Sequence, residues 1–412
     1  MNIPSGPYAA LKISDFRLFV SARFCITLAI QIQSVVVAWQ VYDLTHDPLS
    51  LGLIGLAEAI PSIGVSLYAG HIADVVQRKR IILICVGILL VCSFALFFFT
   101  LDPGKFILDR GVISIYSVIF LSGIARGFLT PAMFAYMPQL IPRELYSNAI
   151  TWNSTLWETA AIGGPAIGGF LYGFMGIQVS YLADVVLMLT GFALALGINN
   201  KPLPAESEEQ GIIEKIRAGL RFVFNNQIIL GAISLDLFAV LFGGAVALLP
   251  IFANEILMVG PEGLGILRAS PSIGALIMAF YITHHPIKKN TGKTLLYCVA
   301  GFGVCMISFA LSTNFWISLF LLVLSGMFDC VSVIIRSTLL QTLTPENMKG
   351  RVSAVNHIFI GSSNEIGMFE SGVAARLMGV VPSVIFGGCM TLVTVGVISF
   401  LAKSLRGLQR VH

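Results

Sequence analysis

The chain has 412 residues, of which 56% are hydrophobic and only 11% are charged, and its formal net charge is +4. Soluble domains carry about 25% charged residues, so this composition excludes both a water-soluble enzyme and a disordered chain. Since one helical membrane span needs roughly 20 apolar residues, the length accommodates about twelve spans and indicates a polytopic membrane protein.

Apolar runs between helix breakers predict twelve membrane spans in chain order. They lie near residues 16–42, 49–72, 80–100, 112–136, 147–174, 178–198, 227–255, 262–284, 293–311, 315–341, 350–378 and 381–403. Backbone polar groups must be paired in lipid, and the runs do not alternate strictly, so the spans are predicted to be helices. The expected fold class is therefore an all-α membrane protein.

The basic residues of the loops are distributed unevenly between the two sides of the predicted helices. One side carries Arg78, Lys79, Arg80 and most of the others, whereas only Lys105 and Arg110 lie in loops on the opposite side. Cytoplasmic loops are enriched in Lys and Arg. We therefore expect a multi-pass protein of the inner (plasma) membrane with both termini in the cytoplasm.

The longest polar stretch, residues 199–226, lies in the middle of the chain and divides the spans six and six. It contains an amphipathic run that places apolar residues on one face, namely Ile213, Ile216, Leu220 and Phe224. We interpret the stretch as a cytoplasmic connector whose helix lies on the membrane surface. The predicted halves are residues 1–198 and 227–412.

An internal repeat relates the two halves. In spans 2 and 8, Glu58 and Pro61 align with Arg268 and Pro271, within the longer match of Gly55 to Gly64 with Gly265 to Gly274. In spans 4 and 10, the repeat aligns Gly123 with Gly326 and Arg126 with Asp329. Each half has an even number of spans, so the repeats have the same orientation. Two parallel six-helix repeats are the arrangement of one large class of transporters.

The loop after span 2 resembles the signature loop of the major facilitator superfamily, which has Gly, Asp and a basic pair at this spacing. The matching residues are Gly70, Asp74, Arg78 and Lys79, while Val75 and Gln77 depart from the family pattern. The resemblance implies that Asp74 and Arg78 form charge-assisted bonds of a cytoplasmic gate. The alternative is that the basic residues only anchor the loop on the cytoplasmic side.

Span 5 is similar to the antiporter motif of the same superfamily, carried by Gly164, Pro165, Gly168 and Gly169. The motif favours export as the direction of transport. The alternative is generic close packing, because small residues at four-residue spacing let two helices approach and a proline bends the span.

Two further segments, 15–24 and 340–353, resemble the enterobactin-exporter-like, drug:proton antiporter-3 branch of the superfamily. This resemblance implies proton-driven efflux of an amphipathic small molecule such as a drug or a siderophore. The expected partners are the substrate, protons and the lipid bilayer. We expect a monomer that binds no nucleic acid and no cofactor.

Ionisable residues inside the spans are costly in lipid and therefore mark candidate sites for substrate or protons. The candidates are Glu58, Asp236, Asp329, Glu365, Arg126 and Arg23. In the superfamily spans 2 and 11 are neighbours, so Glu58 and Glu365 are a possible carboxylate pair that shares a proton. Separate structural bonds are the alternative for each residue.

Other functions of a polytopic membrane protein remain open at this point. Within the superfamily, an importer of a small solute or a lysophospholipid flippase would have the same spans. An enzyme embedded in the membrane would need clustered His, Asp or Glu at one face, but the six His are scattered. The duplicated six-span halves disfavour a channel, so a non-enzymatic transporter is the expected class.

Overall fold

The computed structural model describes residues 6–104, 111–201, 212–243, 245–285, 290–345 and 348–409. All regular structure in these ranges is helical, and ten of the helices there are long and apolar enough to cross a membrane. The eleventh predicted span forms a 30-residue helix that is too polar to be one of the ten. The predicted all-α membrane fold is confirmed.

Five helices correspond to the first six predicted spans. They are α1 (Ser14–Thr45), α2 (Pro48–Val75), α3 (Arg78–Phe99), α4 (Ile113–Tyr136) and α5 (Tyr146–Leu196). Helix α5 contains spans 5 and 6, because Gly176 has a φ of 82° and breaks the helix into arms over 146–175 and 177–196. Glycine adopts this left-handed backbone without the steric cost that a side chain would bring.

The remaining helices are α6 (Ile212–Asn225), α7 (Gln227–Gly243), α8 (Gly260–His284), α9 (Thr291–Leu311), α10 (Phe315–Leu343), α11 (Lys349–Met378) and α12 (Val380–Leu401). Helix α7 is shorter than the predicted span 227–255. Beyond it the chain continues through short helical turns, the last of which is the π-helix Phe252–Ile256. Pro250 lies in these turns and has no backbone N–H to donate, which disfavours a regular α-helix there.

The chain forms two compact units. The N-terminal unit comprises Met1–Thr45, Ala57–Glu208 and Gly260–Gly265, and the C-terminal unit comprises His46–Leu56, Glu209–Val259 and Ile266–His412. In the N-terminal unit, α1 packs on α5, and α3 packs on α4 and α5. In the C-terminal unit, α9 packs on α10 and α12, and α7 packs on α11 and α12. The predicted boundaries of the two halves remain predictions.

The connector helix α6 packs one of its faces against α7 and α11, and its predicted position on the membrane surface remains a prediction. Val223 is buried with Ile229 of α7 and Val352 of α11, and Leu220 packs against the same cluster. One face of α6 is therefore covered by protein, because the apolar side chains on that face pack against those of α7 and α11. Phe224, on the predicted apolar face, is exposed. Residues 202–211 of the connector lie outside the described residues.

The predicted orientation in the membrane is not settled by these helices. Lys105 and Arg110, the two basic loop residues on the predicted outer side, lie outside the described residues. Both termini in the cytoplasm therefore remain a prediction. Helix ends are named below by that predicted orientation.

Candidate functional site

A small cavity inside the C-terminal unit contains two of the predicted site residues, Asp236 of α7 and Asp329 of α10. Ser332 of α10 adds a hydroxyl group, and Phe302 of α9 and Phe328 of α10 supply apolar walls. The cavity has room for about one water molecule. Acidic, hydroxyl and aromatic groups thus meet within the predicted spans, where lipid offers such polar groups no partners.

The two acids of the cavity have different surroundings. Asp236 forms an ion pair with Arg336 of α10, and both side chains are buried, with exposed fractions of 9% and 4%. Asp329 is exposed and forms neither a hydrogen bond nor an ion pair with any described residue. Arg336 follows Asp329 by two helical turns, so both lie on one face of α10. The cavity therefore combines one neutralised acid with one acid that remains accessible.

Arg336 was not among the predicted site residues. The basic side chain on the same helix face as Asp329 was a signal in the sequence, but its pairing with Asp236 depends on the packing of α7 against α10. Neither Ser332 nor the two phenylalanines carried any signal that separates them from ordinary core residues.

The N-terminal unit brings together Glu58 of α2 and Arg126 of α4 as an ion pair. The exposed fractions of these side chains are 19% and 34%, so this pair is more accessible than the pair in the cavity. The ion pair gives Glu58 a described partner other than Glu365. The predicted sharing of a proton between Glu58 and Glu365 remains a prediction.

Glu365 lies half-buried on α11, in the part that packs against the beginning of α2. A methyl group at Gly55 would lie 2.9 Å from the backbone oxygen of Glu365. One turn further, a methyl group at Gly52 would lie 3.1 Å from the Cα atom of Gly372. Glycine on these faces lets the two backbones approach closely.

Arg23 of α1 has a neutral partner in the N-terminal unit. Its guanidinium group donates a hydrogen bond to Oδ1 of Asn153 on α5 at 2.9 Å. The side chain is half-buried and forms no ion pair with a described carboxylate. A partly desolvated guanidinium without a counter-ion keeps its capacity to bind an anionic group.

The basic residues of the predicted gating loop bind helix ends within the N-terminal unit. Arg78 donates to the backbone oxygen of Ala135, near the end of α4, at 2.8 Å. Lys79 donates to the backbone oxygens of Leu196 at 3.0 Å and Ile198 at 2.5 Å, at the end of α5. Cations at these positions satisfy carbonyl groups that lack helical partners. The surroundings of Gly70 and of the Asp74 side chain lie outside what the structure describes.

The antiporter-like motif is a close-packing surface. A methyl group at Gly168 would lie 3.1 Å from the backbone oxygen of Ile32 on α1, and Gly164 faces Gln31 on the same helix. A methyl group at Gly169 would lie 2.7 Å from the Cα atom of Gly265, at the start of α8. Pro165 is buried between these glycines. These contacts account for the small residues, and export as the direction of transport remains a prediction.

Nearly the whole chain is similar to one family of membrane proteins and to exporters. The family described as "Transmembrane secretion effector" matches residues 5–409. The enterobactin exporter EntS of Salmonella choleraesuis (strain SC-B67) is 26% identical over 390 residues, which cover 94% of this chain and 91% of that protein. The enterobactin exporter EntS of Escherichia coli O1:K1 is 26% identical over 344 residues, covering 82% and 80%.

Solved transporter structures share the fold. A bacterial homologue of the iron transporter ferroportin aligns with a TM-score of 0.71 and 16% sequence identity, covering 97% of this chain and 99% of that chain. A peptide transporter of the POT family aligns with a TM-score of 0.74 and 10% identity, covering 94% and 96%. These structures share the fold alone. The family match over residues 5–409 and the exporter relatives confirm the predicted resemblance to the major facilitator superfamily and the class of multi-pass transport protein.

Proposed function

The chain belongs to the transmembrane secretion effector family, and from that premise we propose that it exports an amphipathic small molecule in exchange for protons. Its cycle is alternating access, in which the transporter opens to one side of the membrane at a time. The observation that carries the proposal is the accessible Asp329 beside the buried Asp236–Arg336 ion pair.

Asp329 is the proton carrier in this proposal. An ionised carboxylate on a cavity wall has to keep its hydration or a cationic partner, because an unpaired charge is costly in a low-dielectric interior. A proton on Asp329 removes that charge and lets the cavity lose its water. Arg336 already neutralises Asp236, so Asp236 responds to protons less readily than Asp329. Proton binding at Asp329 thereby biases which conformation of the transporter is stable.

The proposed cargo is a drug, a siderophore or a similar molecule with both apolar and polar parts. Phe302 and Phe328 provide apolar surface beside the acids of the C-terminal unit. Within the N-terminal unit, Arg23 is a separate candidate to bind an anionic group. The relatives that are named as enterobactin exporters make enterobactin the first molecule to test. The proposed location is the inner membrane, with a monomer as the working unit and both termini in the cytoplasm.

Transport by purified protein in proteoliposomes tests the proposal. An imposed proton gradient should drive enterobactin, or a lipophilic dye, against its concentration gradient. Asp329→Asn should abolish the gradient-driven component, whereas Glu144→Gln, an exposed acid in a loop, should leave it unchanged. Transport that proceeds equally without a proton gradient, or an Asp329→Asn variant with full gradient-driven transport, would contradict the proposal.

The orientation is tested separately by cysteine labelling. A single cysteine introduced near either terminus of a cysteine-free variant should react with a membrane-impermeant reagent only after the cells are opened. Reaction in intact cells would place that terminus outside the cell and would contradict the predicted orientation of the protein in the membrane.

A further inference from the structure

Asp184 is a completely buried acid far along the chain from the cavity residues. It lies on the second arm of α5 with an exposed fraction of 0%. Its Oδ2 atom accepts a hydrogen bond from Nε2 of Gln33 on α1 at 3.0 Å. Its Oδ1 atom is buried and has no hydrogen-bond partner among the described residues. Within the described part of the chain, the donors to this carboxyl group are neutral, namely the amide of Gln33 and the hydroxyl group of Ser93.

The other polar groups around Asp184 are also neutral. Helix α3 contributes Ser93, whose Oγ atom lies 3.4 Å from Nε2 of Gln33, and the neighbouring Cys92. Tyr181, one turn before Asp184 on α5, donates to Oε1 of Gln40 on α1 at 2.6 Å. Thiol and phenol groups ordinarily keep their protons at neutral pH. Within the described part of the chain, no Lys, Arg or His forms an ion pair with Asp184.

Such surroundings suit a carboxylic acid and not a carboxylate. An ionised carboxyl group only accepts hydrogen bonds and has room for about four of them. Burial of this charge with only neutral donors and no cationic partner among the described residues carries a large desolvation penalty, and a buried acid avoids it by taking up a proton. The neutral acid leaves at most one uncharged oxygen or hydroxyl group without a partner, which costs less than a buried charge without a counter-ion.

We propose that Asp184 binds a proton that stays in place throughout the transport cycle, and that this neutral acid joins α1, α3 and α5 within the N-terminal unit. The contacts between Gln33 and Asp184 and between Gln40 and Tyr181 form one buried polar seam along α1 and α5. The proposal goes beyond proton-coupled export and does not depend on it.

The seam has no contact with solvent through which the proton could leave. Gln33 and Gln40 have exposed fractions of 7% and 5%, and Ser93, Tyr181 and Asp184 have exposed fractions of 0%. Asp329 contrasts with them, because it is exposed and lines a cavity. A proton that exchanges with the medium during transport therefore belongs at Asp329, and a proton that is retained belongs at Asp184.

Infrared spectroscopy of the reconstituted full-length protein tests the protonation state directly. The difference spectrum of the parent and Asp184→Asn should show the carbonyl stretch of a protonated carboxylic acid. That signal should persist as the pH is raised through the range in which exposed carboxyl groups and histidines titrate. An Asp184-dependent signal of an ionised carboxylate at neutral pH would overturn the proposal.

Variants test whether the proton is retained. Asp184→Asn is a neutral analogue of the same shape, so the thermal stability, the transport rate and the pH dependence of transport should remain those of the parent. Asp184→Leu should lower the thermal stability, because it removes the acceptor of the shorter of the two hydrogen bonds that Nε2 of Gln33 donates. Loss of gradient-driven transport in a stable Asp184→Asn variant would overturn the proposal by making Asp184 a carrier. Failure of Asp184→Asn to fold would also overturn it.

Discussion

The crossing of α2 with α4 in the N-terminal unit and the crossing of α8 with α10 in the C-terminal unit use aligned residues, but the charged residues beside them have opposite signs. In the N-terminal unit, Gly123 of α4 packs on α2, where an added methyl group would lie 2.8 Å from the Pro61 ring. In the C-terminal unit, Gly326 of α10 packs on α8, where an added methyl group would collide with the backbone of Pro271. The internal repeat aligns Gly123 with Gly326 and Pro61 with Pro271. Aligned residues therefore form the same contact in each unit.

The charges around this crossing are exchanged between the units. Three residues before the proline there is Glu58 in one unit and Arg268 in the other, and three residues after the glycine there is Arg126 or Asp329. Glu58 and Arg126 form an ion pair with each other. Asp329 is instead exposed. The buried ion pair at the cavity of its unit is formed by Asp236 and Arg336. The same backbone arrangement thus supports a closed charge pair in one unit and an accessible acid in the other.

The largest expected effect is the loss of stability when the buried ion pair between Asp236 and Arg336 is broken. Arg336→Met leaves Asp236 as a buried charge without its partner, so the free energy of unfolding should fall by about 3–5 kcal/mol. Equilibrium unfolding in detergent measures the loss. The double variant Asp236→Asn with Arg336→Met is the control, and it should recover part of the stability because no unpaired charge remains. An Arg336→Met variant as stable as the parent would contradict the burial argument.

The second prediction concerns the shared crossing itself. Gly123→Ala and Gly326→Ala should each lower the free energy of unfolding by about 1–3 kcal/mol, because the added methyl group overpacks a backbone contact. Gly64→Ala on α2 is the matched control, since a methyl group there meets no atom within 4 Å. Both effects are measured by the same unfolding experiment. If only one of the two crossings is sensitive, the equivalence of the crossings is wrong.

The sequence was sufficient for the parts of the fold that depend on local patterns. Apolar length predicted the all-α membrane fold, and ten of the described helices are long and apolar enough to cross a membrane. The repeat aligned the glycines and prolines that meet at the crossings. The end of span 7 was not predicted, because the sequence stays apolar through the turns around Pro250 and hydropathy alone does not mark the end of the α-helix. The partners of Asp236 and Glu58 were not predicted either. Each of these ion pairs joins side chains on different helices, which periodicity along one helix does not relate.

The third prediction weakens the ion pair of the N-terminal unit. Arg126→Gln should lower the free energy of unfolding by about 1 kcal/mol, since the partly exposed Glu58 can be hydrated when its partner is removed. Comparison with Arg336→Met in the same detergent gives the difference between an accessible and a buried pair. Equal losses in the two variants would show that Glu58 and Arg126 are as poorly hydrated as the cavity pair.

The smallest expected effect tests whether the exchanged charges occupy equivalent places. If α8 crosses α10 as α2 crosses α4, Arg268 lies within side-chain reach of position 329. Asp329→Arg then places a second cation near Arg268 and should destabilise the protein slightly. Addition of Arg268→Glu gives the C-terminal unit the charges of the N-terminal unit, and a double-mutant cycle should show a favourable coupling of about 0.5 kcal/mol. Strict additivity of the two changes would show that the side chains do not meet. The two crossings would then be equivalent in their backbone contacts only. The exposure of Asp329 would not depend on the side chain of Arg268.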